Sequence, residues 1–127
     1  MKKYMLDMKV TENCRLHHNY CLLKLTADKP LPDMNPGQFV QVRVANSATT
    51  FLRRPLSVNF VDKQTNELWL LIQLVGDGTR KLAEAKKGDL INIVLPLGNG
   101  FSLPNPGETK KLLLIGGGVG TAPMLYL

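Results

Sequence analysis

Apolar positions along this chain fall in short alternating runs, each closed by turn chemistry. Gln38-Phe39-Val40-Gln41-Val42-Arg43-Val44 alternates polar and apolar, the rhythm of a strand with one face on a core. The same reading predicts strands over Tyr4–Thr11, Tyr20–Thr26, Gln38–Val44, Leu56–Val61, Leu68–Val75 and Leu90–Leu95. Pro30-Leu31-Pro32, Asn35-Pro36-Gly37, Asp62–Asn66 and Lys87-Gly88-Asp89 separate them, with the residue types that set turns. Six strands so spaced predict an all-β, six-stranded antiparallel barrel, which closes on itself and leaves few edges open.

Two segments break this rhythm. Thr79-Arg80-Lys81-Leu82-Ala83-Glu84-Ala85 combines helix formers with a hydroxyl at its start and Gly88 beyond its end, which predicts one short helix. Leu97–Gly107 is rich in Gly, Pro and Asn and reads as a linker. Residues 1–107 then form a barrel with its linker, and 108–127 begin a second unit. From Lys110 the chain turns apolar. Leu112–Ile115 has the pattern of a buried parallel strand, and Pro123 suits a first helical turn. Between them stands Gly116-Gly117-Gly118-Val119-Gly120-Thr121.

Composition narrows the class. A chain of 127 residues holds one domain with a core and little more. Its longest apolar runs, such as Leu68–Ile72, are strand-sized and far short of a membrane span. Asp7 and Lys9 interrupt the N-terminal stretch, so no signal-peptide segment is predicted. Two cysteines predict reduced thiols and a cytoplasmic setting. The net charge of +6 comes from basic pairs at Lys2-Lys3, Arg53-Arg54, Arg80-Lys81, Lys86-Lys87 and Lys110-Lys111. They are spread out, and the eight aromatics are scattered rather than interleaved with them. That favours a phosphate-bearing small molecule over nucleic acid, although a basic OB-like nucleic-acid barrel is the contrasting reading.

Three stretches could carry chemistry. In Leu52-Arg53-Arg54-Pro55-Leu56-Ser57 the proline removes a ladder donor, which predicts an edge strand or one that turns backbone groups to a ligand. Alternation puts Arg54 and Leu56 on one face, Pro55 and Ser57 on the other. Arg54 offers a phosphate its donor fork, or it is simply solvated. In Gly76-Asp77-Gly78-Thr79 the glycines allow close approach of a ligand, and Thr79 either caps the helix or reaches a phosphate oxygen. The Gly116–Thr121 turn, strand before and helix after, reads as a nucleotide-binding turn, with Thr121 where a third glycine would stand. Cys14, His17, His18 and Cys21 are enough for four metal ligands on paper. Their crowding between apolar strands favours buried thiols with surface histidines, so no metal is assigned.

In this order the barrel, Arg-Pro-Leu-Ser, Gly-Asp-Gly-Thr and the glycine-rich strand–turn–helix resemble the ferredoxin–NADP reductase superfamily. With Pro96-Leu97-Gly98-Asn99-Gly100-Phe101, they are most similar to the electron-transfer subunits of bacterial dihydroorotate dehydrogenases. The resemblance implies a Greek-key barrel that binds FAD. Arg54 would hold the pyrophosphate, Pro55 and Leu56 would set their backbone against the isoalloxazine, and Ser57 would lie near flavin N5. Leu71, Ile72 and Gln73 would run beside the cofactor, and Gly78 and Thr79 would bind phosphates. Gly116, Gly117, Gly118, Gly120 and Thr121 would open an α/β domain for NAD. The family's [2Fe–2S] ligands match neither Cys14 nor Cys21, so the chain is expected to be a fragment. The implied partner is the FMN-bearing catalytic subunit, with electrons passing through the iron–sulfur centre and FAD to NAD+. The alternative within the superfamily is the flavin subunit of a ferredoxin- or sulfide-linked NAD(P)H oxidoreductase. A strand at Lys111–Ile115 and a following helix through Met124, Leu125 and Tyr126 would leave apolar surface open, so the tail is expected to pack on its own barrel, to pair with a second copy of the chain or to be disordered, and its open strand edges favour pairing.

Overall fold

A computed structural model describes residues 2–103, 107 and 111–127; the expected boundary at 107/108 and the start of the expected last strand at Lys110 lie outside them. Seven strand segments form one antiparallel sheet: β1 (Tyr4–His17), β2 (Tyr20–Thr26), β3 (Phe39–Val42), β4 (Arg54–Ser57), β5 (Phe60–Asp62), β6 (Glu67–Gln73) and β7 (Leu90–Leu97). A helix, α1 (Asp77–Leu82), joins β6 to β7, and a 3-10 helix spans Gly118–Met124. The strands lie in the order β4-β3-β7-β1-β2-β6-β5.

The two edges of that sheet are consecutive in sequence. β4 pairs with β3 (Val40↔Leu56) and β5 pairs with β6 (Val61↔Leu68), and only Val58 and Asn59 separate them. The Val58 N–H donates to the Gln38 carbonyl and the Asn59 N–H to the Trp69 carbonyl, each at 3.0 Å. One stretch, Arg54–Asp62, therefore crosses from one edge to the other and closes the ring. The predicted strand Leu56–Val61 is this stretch, and the predicted six strands become seven segments because it changes partner midway. Counted as one, the order β1-β2-β6-(β4/β5)-β3-β7 is the expected antiparallel Greek-key barrel.

Alternation fills the interior. Met8 and Val10, Leu23 and Leu25, Val40 and Val42, Leu68, Leu70 and Ile72, and Ile93 and Leu95 all point inward and are buried. Leu82 and Ala83 at the end of α1 join the same core. Asn13 holds that end of the barrel, its side-chain amide donating to the Ala83 and Ala85 carbonyls at 2.9 and 2.8 Å.

Two expectations need correction. β1 runs on to His17, beyond its pairing with β7, which stops at Lys9. Its far half pairs only with β2, so it needs no inward apolar rhythm and none is visible in the sequence. Residues 111–117 carry no strand; Leu113 is 86% exposed and Ile115 79%. A parallel strand needs parallel neighbours, and every ladder of this barrel is antiparallel.

The inward and outward faces of β6 give a direct check on this packing. Leu70→Ala, in the core, is expected to cost about 2–5 kcal/mol of stability. Leu71→Ala, on the half-buried outer face, should cost far less. Urea denaturation of both variants decides it, and equal losses would refute the alternation.

Candidate functional site

β4 is an edge in its own right. It has β3 on one side, Pro55 lying opposite Gln41, and no strand on the other. Edge position is where a strand tolerates proline, and it leaves one side of the strand open to a ligand. The register also separates the two arginines. Arg53 turns across the outside of the barrel, where its guanidinium donates to the carbonyls of Gln41 at 3.3 Å and Asn92 at 3.1 Å. It also bonds the Asn92 side-chain oxygen, and Asn92 in turn donates to Asp7 at 2.8 Å. Arg53 is thus a brace between β3 and β7.

Arg54 goes the other way. Its Nε donates to the Arg53 carbonyl at 3.2 Å, and its stem lies against the first turn of α1. A Cβ built on Gly78 would meet Arg54 Cδ at 3.0 Å and Thr50 Cγ2 at 3.1 Å. Gly78 is therefore required by close approach: any side chain there would displace Arg54 or Thr50. Among the described residues no carboxylate pairs with Arg54, so the outer nitrogens of its fork are left for another anion. This donor set, a free guanidinium over a glycine cradle, fits the pyrophosphate of a dinucleotide cofactor.

Thr79 has a different task. Its hydroxyl accepts from the Val75 and Gly76 N–H groups at 3.0 and 3.1 Å and donates to the Gly76 carbonyl at 3.1 Å. One donor and two acceptor sites are all a hydroxyl has. The side chain closes the turn, so only the Thr79 backbone is left for a phosphate. On β6, Ile72 is fully buried in the core and contributes only backbone to any surface site. Leu71 and Gln73 face outward and are half-buried. Leu56 packs against the core edge, while Ser57 lies opposite Phe39 on the outer face with Pro55.

The glycine turn near the C-terminus curls on itself. The Gly120 N–H donates to the Gly117 carbonyl at 2.9 Å, and the Thr121 hydroxyl to the Gly118 carbonyl at 3.0 Å. Gly116, Gly117, Gly118, Gly120 and Thr121 are all exposed.

Three features escaped the sequence reading. Thr50 shares the Gly78 cradle, carried by a loop in which Ser47 Oγ accepts from the Thr49 and Thr50 N–H groups; a Ser-x-Thr-Thr turn was the available signal. Gln38, fully buried, accepts from Asn35 N–H at 2.7 Å and donates to the Gly98 carbonyl at 3.0 Å. Gly98, at φ +76°, lies so close to Phe39 that a Cβ would be 2.9 Å from its ring, so Pro96–Phe101 is a clasp on the β3 turn. The third is a cleft of about 500 Å3 between α1 and β7. Lys81, Glu84, Arg43 and Asn92 help line it, and none of the candidate cofactor residues does.

Cys14, His17, His18 and Cys21 share the β1–β2 hairpin. Cys21 points into the core while both histidines are exposed, their rings 4.0 Å apart.

Residues 7–101 match the model of the oxidoreductase FAD-binding domain. The chain belongs to this family. It is similar to the electron transfer subunit of dihydroorotate dehydrogenase B (NAD(+)) from Bacillus mycoides, 37% identical over 121 residues, or 95% of this chain and 47% of the relative. It also resembles the subunit of the same name from Desulforamulus reducens, 45% identical over 92 residues, or 72% of this chain and 34% of that one. The chain thus spans a third to a half of the length of these relatives. A match of 121 residues necessarily takes in Gly116–Thr121. Among solved structures, the Amycolatopsis cytochrome P450 reductase superposes with a TM-score of 0.79 at 29% identity, over 97% of this chain and 37% of its own. The ferredoxin reductase of carbazole 1,9a-dioxygenase gives 0.82 at 25% identity, over 98% and 38%. The barrel is of the ferredoxin–NADP reductase type, and no described helix is long and apolar enough to cross a membrane.

Burial pushes the Cys21 thiol above its ordinary value near 9.0, with the charge of Arg15 opposing in part. The thiolate is the reactive form, so Cys21 is expected to resist iodoacetamide at about pH 8 while half-buried Cys14 reacts first. Mass mapping of the native protein tests this, and equal labelling of both would refute the inward placement of Cys21.

Proposed function

We propose that this chain is the flavin-holding part of an electron-transfer subunit that serves a dihydroorotate dehydrogenase. The observation that carries the proposal is Arg54, its fork unpaired among the described residues, lying over the Gly78 cradle on the family's FAD-binding barrel. FAD, when bound, supplies an exchange point between one-electron carriers and a two-electron nicotinamide. The residues of this chain bind and orient it. Arg54 holds the pyrophosphate, Gly78 and the Thr79 backbone flank it, and the open edge of β4 presents Pro55 and Leu56 to the ring, with Ser57 beside it. Leu71 and Gln73 border the cofactor from β6, with Ile72 adding backbone alone.

The wider scheme rests on the resemblance to the electron-transfer subunits of dihydroorotate dehydrogenases. A polypeptide of their length would carry the nicotinamide domain that Gly116–Thr121 begins, and the [2Fe–2S] centre whose ligands are neither Cys14 nor Cys21. Its partner is an FMN-bearing catalytic subunit in the cytoplasm, and electrons from dihydroorotate leave as hydride on NAD+. Identity favours this over a ferredoxin- or sulfide-linked NAD(P)H oxidoreductase: the dehydrogenase subunits stand at 37% and 45%, an NADH-dependent reduced ferredoxin-NADP oxidoreductase structure at 28%.

Titration of the apoprotein with FAD is the test. Arg54→Ala should weaken binding by about 1.5–3 kcal/mol, the scale of a hydrogen bond to a charged group. Arg53→Ala should instead lower the melting temperature and leave affinity largely intact, because its partners are β3 and β7. Equal losses of affinity would refute the opposed facing, and no flavin uptake by the wild-type chain would refute the proposal.

A further inference from the structure

The segment after the glycine turn is fastened to the barrel at one buried point. Asn59 is 6% exposed and Ala122 3%, and the Asn59 side-chain amide donates to the Ala122 carbonyl at 2.6 Å. A donor and an acceptor withdrawn from water together are costly to separate, because each then lacks a partner. The Asn59 backbone is itself fixed, its N–H bonded to the Trp69 carbonyl. Four residues beyond Ala122, the Tyr126 hydroxyl donates to the Met34 carbonyl at 2.9 Å, and its ring meets Phe60 edge-on at 5.8 Å. Phe60 rests in turn on Trp69 at 5.0 Å. The two anchors bracket the end of the 3-10 helix that carries Gly118, Gly120 and Thr121.

Asn59 lies two residues past Ser57 on the closing stretch of the barrel. The strand that would face the flavin and the side chain that holds the tail are parts of one rigid segment. We infer that Asn59, supported by Tyr126, is a positioning latch that sets the Gly116–Thr121 turn at a fixed place relative to the flavin strand. The inference rests on the flavin reading above. It assigns Asn59 a part in hydride transfer between nicotinamide and FAD, a step in which one hydrogen nucleus and two electrons move together from one ring to the other. Asn59 touches neither ring; it governs where the nucleotide turn stands.

Two conservative variants keep the test separate from folding. Asn59→Asp keeps the shape but sets a carboxylate oxygen against the Ala122 carbonyl in place of the amide donor, and Tyr126→Phe keeps the ring on Phe60 and removes the hydroxyl. Hydrogen exchange by mass spectrometry on the FAD-loaded chain should show peptides over 118–126 exchanging about tenfold faster or more in Asn59→Asp, the scale of one lost buried hydrogen bond. Tyr126→Phe should give a smaller rise. Core peptides from β2 and β6 and the affinity for FAD should not change. In a polypeptide of the relatives' length, the limiting rate of flavin reduction by NADH should fall in Asn59→Asp with the flavin still bound. Unchanged exchange over 118–126 with FAD bound overturns the latch alone. Faster exchange with an unchanged reduction rate overturns its part in transfer. Failure of the wild-type chain to take up FAD overturns the flavin reading, and with it that part in transfer.

Discussion

The barrel depends on a single crossing. Between Ser57 and Phe60 the chain leaves β3 and joins β6, and the two N–H groups at the crossing each find a carbonyl on a different neighbour. That double pairing ties the two ends of the sheet together through one stretch of chain, while the free side of β4 stays open. Val58 at the crossing is fully buried, so the backbone bend and the core are secured at the same place. Arg54, Ser57 and Asn59 all belong to this one stretch, Arg54–Asp62.

The crossing also explains why neighbouring arginines do different work. A strand residue and the next one face opposite sides. On β4 one side is the outer wall, where Arg53 finds the Gln41 and Asn92 carbonyls. The other side opens toward α1, where Arg54 lies against Gly78 beside the Thr50 side chain and, among the described residues, pairs with no carboxylate. A guanidinium with its hydrogen bonds satisfied by backbone is structural. One whose stem is packed and whose fork is unpaired is poised for an anion. The local sequence is the same in both cases, and the difference is made by what lies across each face.

Much of this was legible in the residues, and the failures share a cause. Periodicity reports which face of a segment is buried, so Val40 and Val42 could be placed before any coordinates; Leu68–Ile72 is an unbroken apolar run with no such rhythm, and Ile72, expected beside the cofactor, is buried in the core. Periodicity does not report the partner. Leu56–Val61 reads as one strand because its alternation is unbroken, yet its two halves pair with different neighbours. Leu112–Ile115 has a strand's composition, but the barrel offers no parallel edge, and those residues stay exposed. The Thr79 hydroxyl could equally cap or bind, and only the positions of the Val75 and Gly76 N–H groups decide that it closes the turn. The polar contacts of Asn59 and Gln38 span 63 and 60 residues of chain, a separation at which local pattern is silent.

The tail shows what that silence hides. Judged by hydrophobicity, 112–127 is a stretch that needs a partner. Within the single chain the stretch divides. Residues 112–115 are wet, while Ala122 and Tyr126 dock on the chain's own barrel. Apolar area alone does not select this arrangement, since Leu113 and Ile115 carry more of it than Ala122. What selects it is polar. The buried Asn59 amide needs an acceptor, the Tyr126 hydroxyl needs one too, and the Ala122 and Met34 carbonyls supply them. Hydrophobic burial is non-directional, so it can hold a tail against a surface but cannot fix its register. Two directed hydrogen bonds around the end of a short helix can, and they set the Gly116–Thr121 turn in register with Asn59 and the closing stretch of the barrel.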